Sequence, residues 1–189
     1  MAKKSVRRKA RSVRRAERPS ARSGASGRAS SVRGDVEMLR HTVATLAYRG
    51  GKAFRGAPVG FAEFRVGDST RTPGQILAHL GDLLDWALSK ANGAEKWHNS
   101  ATANWENGSE RFFAGLQAFD ARIASSKRLG CSAEELFQGP VADSLTHVGQ
   151  IAMLRRLAGA PVRAENYAKA KIEAGRVSSD QPAPVSEFD

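Results

Sequence analysis

Long apolar runs are missing from this chain, and so is any cysteine beyond Cys131. No uninterrupted hydrophobic stretch approaches the ~20 residues a membrane helix needs, so no membrane insertion is expected. The opening residues lack the apolar core of a secretory signal. A single thiol excludes an intrachain disulfide and fits a reducing compartment, which makes the cytoplasm the expected location. Cys131 lies in a Gly-Cys-Ser turn with no nucleophile motif around it, and reads as an incidental thiol. Leu, Ile, Phe, Trp and Tyr are all absent from residues 1–34. Such a segment cannot bury enough apolar surface to offset its chain entropy, and disorder is expected there.

What those 34 residues do contain is charge. They hold twelve Lys or Arg against one acid, Glu17, for a net of +11. That equals the formal charge of all 189 residues, so residues 35–189 balance at 18 basic and 18 acidic side chains. The high isoelectric point therefore describes an appendage on a neutral body. Basic arms of this kind bind nucleic acid or another polyanion weakly, without sequence preference and with steep salt dependence. No aromatic residue interleaves the charges, so a base-stacking platform is excluded. A transit peptide and a merely solubilising tail are the other readings of the same composition.

From Asp35 the composition changes, and helical spacing begins. Asp35 can cap a helix through Val36, Leu39, Val43, Leu46 and Ala47, with Gly50 and Gly51 as stops. Residues 56–71 read as a loop with an extended piece at Phe61–Val66. Thr72-Pro73-Gly74-Gln75 has the form of a capping box with Pro at the first helical position. Ile76, Leu77, Leu80, Leu83, Leu84, Ala87 and Leu88 then form a broad apolar face, with Asp82, Asp85 and Ser89 opposite. A third helix is expected from Trp105 to Ser126, carried by Phe112, Phe113, Leu116, Phe119 and Ile123. Ser132–Glu135 is a second capping box before a short helix, and Pro140 is expected to open a fourth long helix to Leu157. A weak helical stretch follows at Asn166–Glu173. No segment alternates strongly at period two, so the expected fold is all-α, a four-helix bundle.

Two of the four histidines fall on helices where apolar residues predominate. His79 lies at the margin of the second helix's apolar face. His147 sits one turn after Asp143, and positions i and i+4 share a face. The stripe Asp143, His147, Ile151, Leu154 joins an acid and an imidazole to two apolar residues. A carboxylate there needs a partner, because burying one unpaired is costly. A divalent cation suits it, and His79 on a facing helix would complete a two-His, one-carboxylate set with open positions. A simple hydrogen-bonded Asp143–His147 pair at a helix interface also explains the spacing, and is the commoner arrangement for histidines near a core. His98, after Trp97 in a polar connection, reads as solvated, and His41 as a surface residue.

Ile76-Leu77-Ala78-His79-Leu80 followed by Trp86 resembles the second-helix signature of the DinB/YfiT-like superfamily. Asp143-Ser144-Leu145-Thr146-His147-Val148-Gly149-Gln150-Ile151, with Leu154-Arg155-Arg156 and Ala158-Gly159-Ala160-Pro161 beyond it, is similar to that superfamily's last long helix. The resemblance covers residues 35–189. It implies a four-helix bundle with an unusual connection order and a divalent metal held by three residues, in the family usually three histidines. Carried over by position these are His79, Asp143 and His147. Asp143 departs from the pattern: it adds negative charge, shifts preference toward harder ions, and would leave a bound water less acidic. Zn, Ni, Fe and Mn are not distinguished. Members include thiol-dependent transferases and isomerases and metal hydrolases, so the resemblance implies a small-molecule substrate and a low-molecular-weight thiol without choosing a reaction.

Two functions of different kinds follow. One is a metal-dependent enzyme, a thiol-dependent transferase or a hydrolase, built on His79, Asp143 and His147. The other is a non-catalytic helical scaffold, as a monomer or a homodimer, that the basic tail tethers to nucleic acid or another polyanion. Sequence-specific DNA reading by a helix is disfavoured, because the body is neutral and no helix has a basic face.

Overall fold

The structure is a computed structural model that describes residues 23–102, 104–125 and 127–188, with side chains from residue 33 onward. It is mostly helical. Four long helices, α1 (Ser23–Phe54), α2 (Pro73–Ala91), α3 (Trp105–Ala124) and α5 (Ala142–Leu157), are joined by a short α4 (Ala133–Leu136) and irregular connections. Helix α1 packs on α3 and α5, and α2 packs on the same two. Consecutive α1 and α2 therefore face each other across the core, and the long connection 55–72 has to cross between them. No described helix is long and apolar enough to cross a membrane.

Helix α1 departs from expectation at both ends. It is already helical at Ser23, twelve residues ahead of Asp35, so residues 23–34 of the basic segment are helical where disorder was expected. Adding a residue to a formed helix is far easier than nucleating one, which lets a poor helix-forming sequence join. Residues 1–22, the rest of the expected disordered tail, lie outside the described residues. At the other end Gly50 and Gly51 do not stop the helix. A Cβ on Gly50 would come within 2.8 Å of the Phe112 ring, so this glycine serves close approach of α1 to α3. The helix runs on to Phe54, whose ring meets Trp105, Phe112 and Phe113 edge-on. Its end is capped from α5: the buried Arg155 guanidinium donates to the carbonyls of Ala53, Arg55 and Gly56 at 2.8–3.0 Å.

Helix α2 forms as its signals direct. The Thr72 hydroxyl accepts from the Gln75 amide at 3.2 Å, and the Gln75 side chain accepts from the Thr72 amide at 2.9 Å. Helix α3 begins at an Asn104 cap and ends two residues short of the expected Ser126, which lies outside the described residues. The Ser132 capping box is present. Pro140 does not open a helix. The chain stays helical from Ala133 through α4 and a wide π-turn, Phe137–Val141, into α5. A proline lacks the N–H for the usual ladder and its ring collides with the carbonyl four residues back, so the turn widens around it. The Ser144 hydroxyl donates to the Pro140 carbonyl at 2.7 Å.

Two other expectations fail locally. Phe61–Glu63 is a 3₁₀ turn after the left-handed Gly60 (φ 77°), and the buried Phe61 packs against Trp105; it is not extended. The expected helix at Asn166–Glu173 is one 3₁₀ turn, Tyr167–Lys169, beside a two-residue antiparallel ladder of β1 (Ala164–Glu165) and β2 (Glu187–Phe188). Buried Glu165 fastens this segment to α1 by accepting from Tyr48 and Lys52, each at 2.7 Å.

Candidate metal centre

The antiparallel run of α2 against α5 sets His79 opposite the first turns of α5. There the π-turn delivers Asp143 and His147 on one face. His79 Nε2 lies 3.7 Å from Asp143 Oδ2, and His147 Nε2 lies 3.4 Å from Asp143 Oδ1. The two imidazoles meet edge to face with centroids 4.8 Å apart. One ligand atom from each residue falls within 4.8 Å of the other two. Ligands about 2.0–2.2 Å from a shared ion are separated by roughly 3–4 Å, so this spacing fits with little adjustment. Two imidazole nitrogens and one carboxylate are a donor set that suits first-row transition metals and Zn.

The environment disfavours the protonated form of His79 and leaves a lone pair of His147 on the right atom. Burial, reinforced by His147 and by the Arg71 guanidinium, holds the His79 imidazolium below its ordinary pKa, and the nearby Asp143 and Asp82 carboxylates only partly oppose it. His147 Nδ1 donates to Gln150 Oε1 at 2.8 Å, which leaves the Nε2 lone pair facing Asp143 and His79. Gln150 thus orients a candidate ligand. Asp143 stays 46% exposed, so the cluster opens to solvent on that side. Trp97 covers another side, edge-on to His79 and Trp86.

A groove of about 460 Å³ continues from His147 and Gln150 along α5. Ile76, Met153, Leu154, Leu157 and Val66 form its walls, with Thr70 and Arg71 at the rim.

A second His–carboxylate group sits one turn further along α2, and it was not recognised in the sequence. Asp82, expected on the polar face, is buried, because the Arg111 side chain from α3 lies over Gly81. Arg111 Nη2 donates to Asp82 at 2.7 Å and to Asp85 at 2.6 Å. Ser100 donates its amide and hydroxyl to Asp82 at 2.9 and 2.6 Å. His98, expected to be solvated, lies 3.2 Å from Asp82 and 3.4 Å from Asp85. Burial alone would raise the Asp82 pKa; Ser100 and Arg111 outweigh it and hold the carboxyl below its ordinary range. These donors also come close enough to share an ion, but the guanidinium already stands among them.

His41 is exposed, as expected. Cys131 is partly buried, and burial pushes its thiol pKa up, which disfavours a reactive thiolate. Comparison of the chain with protein-family models, with curated proteins and with solved structures returns no match.

Proposed function

We propose that this chain is a divalent-metal-binding protein of the DinB-like type, a four-helix bundle whose metal is held by His79, Asp143 and His147, and that it works as a metal-dependent enzyme of the thiol-dependent transferase or hydrolase kind. The observation that carries the reading is the approach of His79 Nε2, His147 Nε2 and the Asp143 carboxylate to one another, with the carboxylate's ion-pair partners limited to those two imidazoles among the described residues. Three protein ligands leave positions for water or substrate, the pattern of reactive rather than structural sites. A cation there would supply Lewis acidity, polarising a substrate oxygen or lowering the pKa of a bound water or thiol. The chain's own part is positional. Gln150 fixes the His147 tautomer, Trp97 shields one flank, and the groove along α5 offers room for a substrate beside the ligands.

Elemental analysis of protein purified without chelator tests this directly. About one equivalent of a transition metal per chain is expected, and His147→Ala should abolish it while leaving the far-ultraviolet circular dichroism unchanged. Less than about a tenth of an equivalent, unchanged on reconstitution, overturns the reading.

The charge of residues 1–34 supports a second activity alongside the first, weak polyanion binding by the tail. Deleting residues 1–34 should abolish salt-sensitive DNA binding; equal binding by the truncated protein would exclude the tail as the tether.

A further inference from the structure

The groove along α5 has an unusual lining for a surface feature. Val66, Met153 and Leu157 are all more than half exposed, and all three face this one groove. Single exposed apolar side chains need no explanation, but several converging on one concavity mark a ligand surface. Ile76 and Leu154 complete the walls. From His147 to Leu157 is ten helical residues, about 15 Å along the helix axis, long enough to hold an extended chain of several carbons.

Among the described residues the rim carries one cation, Arg71. Arg71 has no hydrogen bond and no ion pair among the described residues. The loop that presents it is itself well tied: Thr70 Oγ1 donates to the Gly67 carbonyl at 2.7 Å and accepts from the Gly67 amide at 3.2 Å. Two other arginines that touch the core are committed, Arg155 to backbone carbonyls and Arg111 to carboxylates. A free guanidinium next to an apolar trough is complementary to an anion with an apolar body. Its planar fork matches a carboxylate in two parallel hydrogen bonds.

We infer that the groove binds an aliphatic monocarboxylate, its carboxylate paired with Arg71 and its chain laid between Ile76, Met153, Leu154 and Leu157 against His147. As a statement about substrate class this rests on the metal-centre reading; the binding itself rests only on the groove and Arg71.

Octanoate is a suitable probe, with octanol and octylamine as neutral and cationic counterparts. The full chain is titrated with each by calorimetry, once after chelator treatment and once after metal loading. Octanoate is expected to bind the parent, with Arg71→Gln weakening it tenfold or more and Met153→Glu doing the same by placing a like charge in the trough. Both residues are exposed, so neither variant threatens the fold; matching thermal melts verify this. Octanol and octylamine should bind at least tenfold more weakly than octanoate. No octanoate binding, binding indifferent to Arg71→Gln, or equal binding of all three probes overturns the proposal. Protein that holds no metal yet binds octanoate through Arg71 rejects the metal centre alone. Protein that holds metal but ignores octanoate rejects this inference alone.

Discussion

Helix α2 carries two histidine–carboxylate groups a single turn apart, and they solve the same electrostatic problem differently. At Asp82 and Asp85 the compensating charge is built in. Arg111 reaches over from α3, Ser100 adds two hydrogen bonds, and His98 completes the ring. At Asp143 two imidazoles alone among the described residues face the carboxylate, and burial disfavours the protonated form of one of them. A buried carboxylate with its own guanidinium is a structural tie between helices and a strap for the 92–104 connection. The half-exposed Asp143 carboxylate beside two imidazoles has ligand atoms to spare. The contrast teaches that proximity of His and Asp does not by itself define a metal site: a guanidinium already stands among one such group, and among the described residues none is paired with the other.

Removing the resident cation should therefore have the largest effect. Arg111→Met keeps the volume but leaves the buried Asp82 without its guanidinium, with Ser100 and His98 still beside it, at a cost of about 3 kcal/mol. For a chain of this size that lowers Tm by roughly 6–12 °C. His147→Ala in metal-free protein deletes a side chain whose hydrogen-bond partner, Gln150, is exposed and can turn to water, and should cost no more than about 1 kcal/mol. Urea melts of both variants measure the difference. Equal losses would mean the two groups are alike and that His147 is a structural tie.

The next effect concerns metal affinity. Gln150→Ala frees the His147 ring and should weaken binding by about 10- to 100-fold in competition with a chelating dye. Ser100→Ala, which removes the corresponding orienting hydroxyl from Asp82, should leave that affinity within about twofold and lower stability by about 1 kcal/mol instead. A Gln150→Ala variant with parental affinity would show that the His147 tautomer is set by something else.

The two groups also differ in how far the sequence reveals them. Asp143 and His147 share a face by a local rule, and so does the α2 capping box, because spacing along one helix is written in consecutive residues. That His79 faces them is a long-range fact: the sequence offers His79 as a candidate from the margin of an apolar face, and the packing of α2 on α5 supplies the approach. The Asp82 group was invisible for the same reason. On the helical wheel Asp82 belongs with the polar residues, and nothing near it in sequence announces that Arg111, 29 positions on, will bury it. His98 looks like a loop residue until Ser100 pins its segment to α2. Gly50 has the look of a stop signal unless the Phe112 ring is known to lie against it. The π-turn at Pro140 and the ladder of β1 and β2 escaped for a related reason. Each is a local compromise imposed by packing, where propensity alone pointed to a helix start and a helix.

The smallest effect, and the finest test of the contrast, is the response of the metal-free protein to acid. Folding holds the His79 pKa below its unfolded value, so the fold binds fewer protons than the unfolded chain as pH falls past the ordinary imidazole range. The associated stability is complete above about pH 7 and is lost progressively below about pH 6.5, through the lower folded pKa. Asp82 has the same sign in a lower window. Its depressed pKa contributes stability that is complete above the carboxylate range and is lost as pH falls below about 4. Urea midpoints measured from pH 7 to pH 3 should therefore decline in two stages. His79→Gln should flatten the upper stage and leave the lower one, and Asp82→Asn should do the reverse. Metal loading should steepen the upper stage only, because an imidazole must be deprotonated to hold an ion and release follows its protonation. If the metal-dependent steepening survived His79→Gln and vanished in Asp82→Asn, the ion would be sitting among Asp82, Asp85 and His98, with Arg111 displaced, and the assignment of the two groups would have to be exchanged.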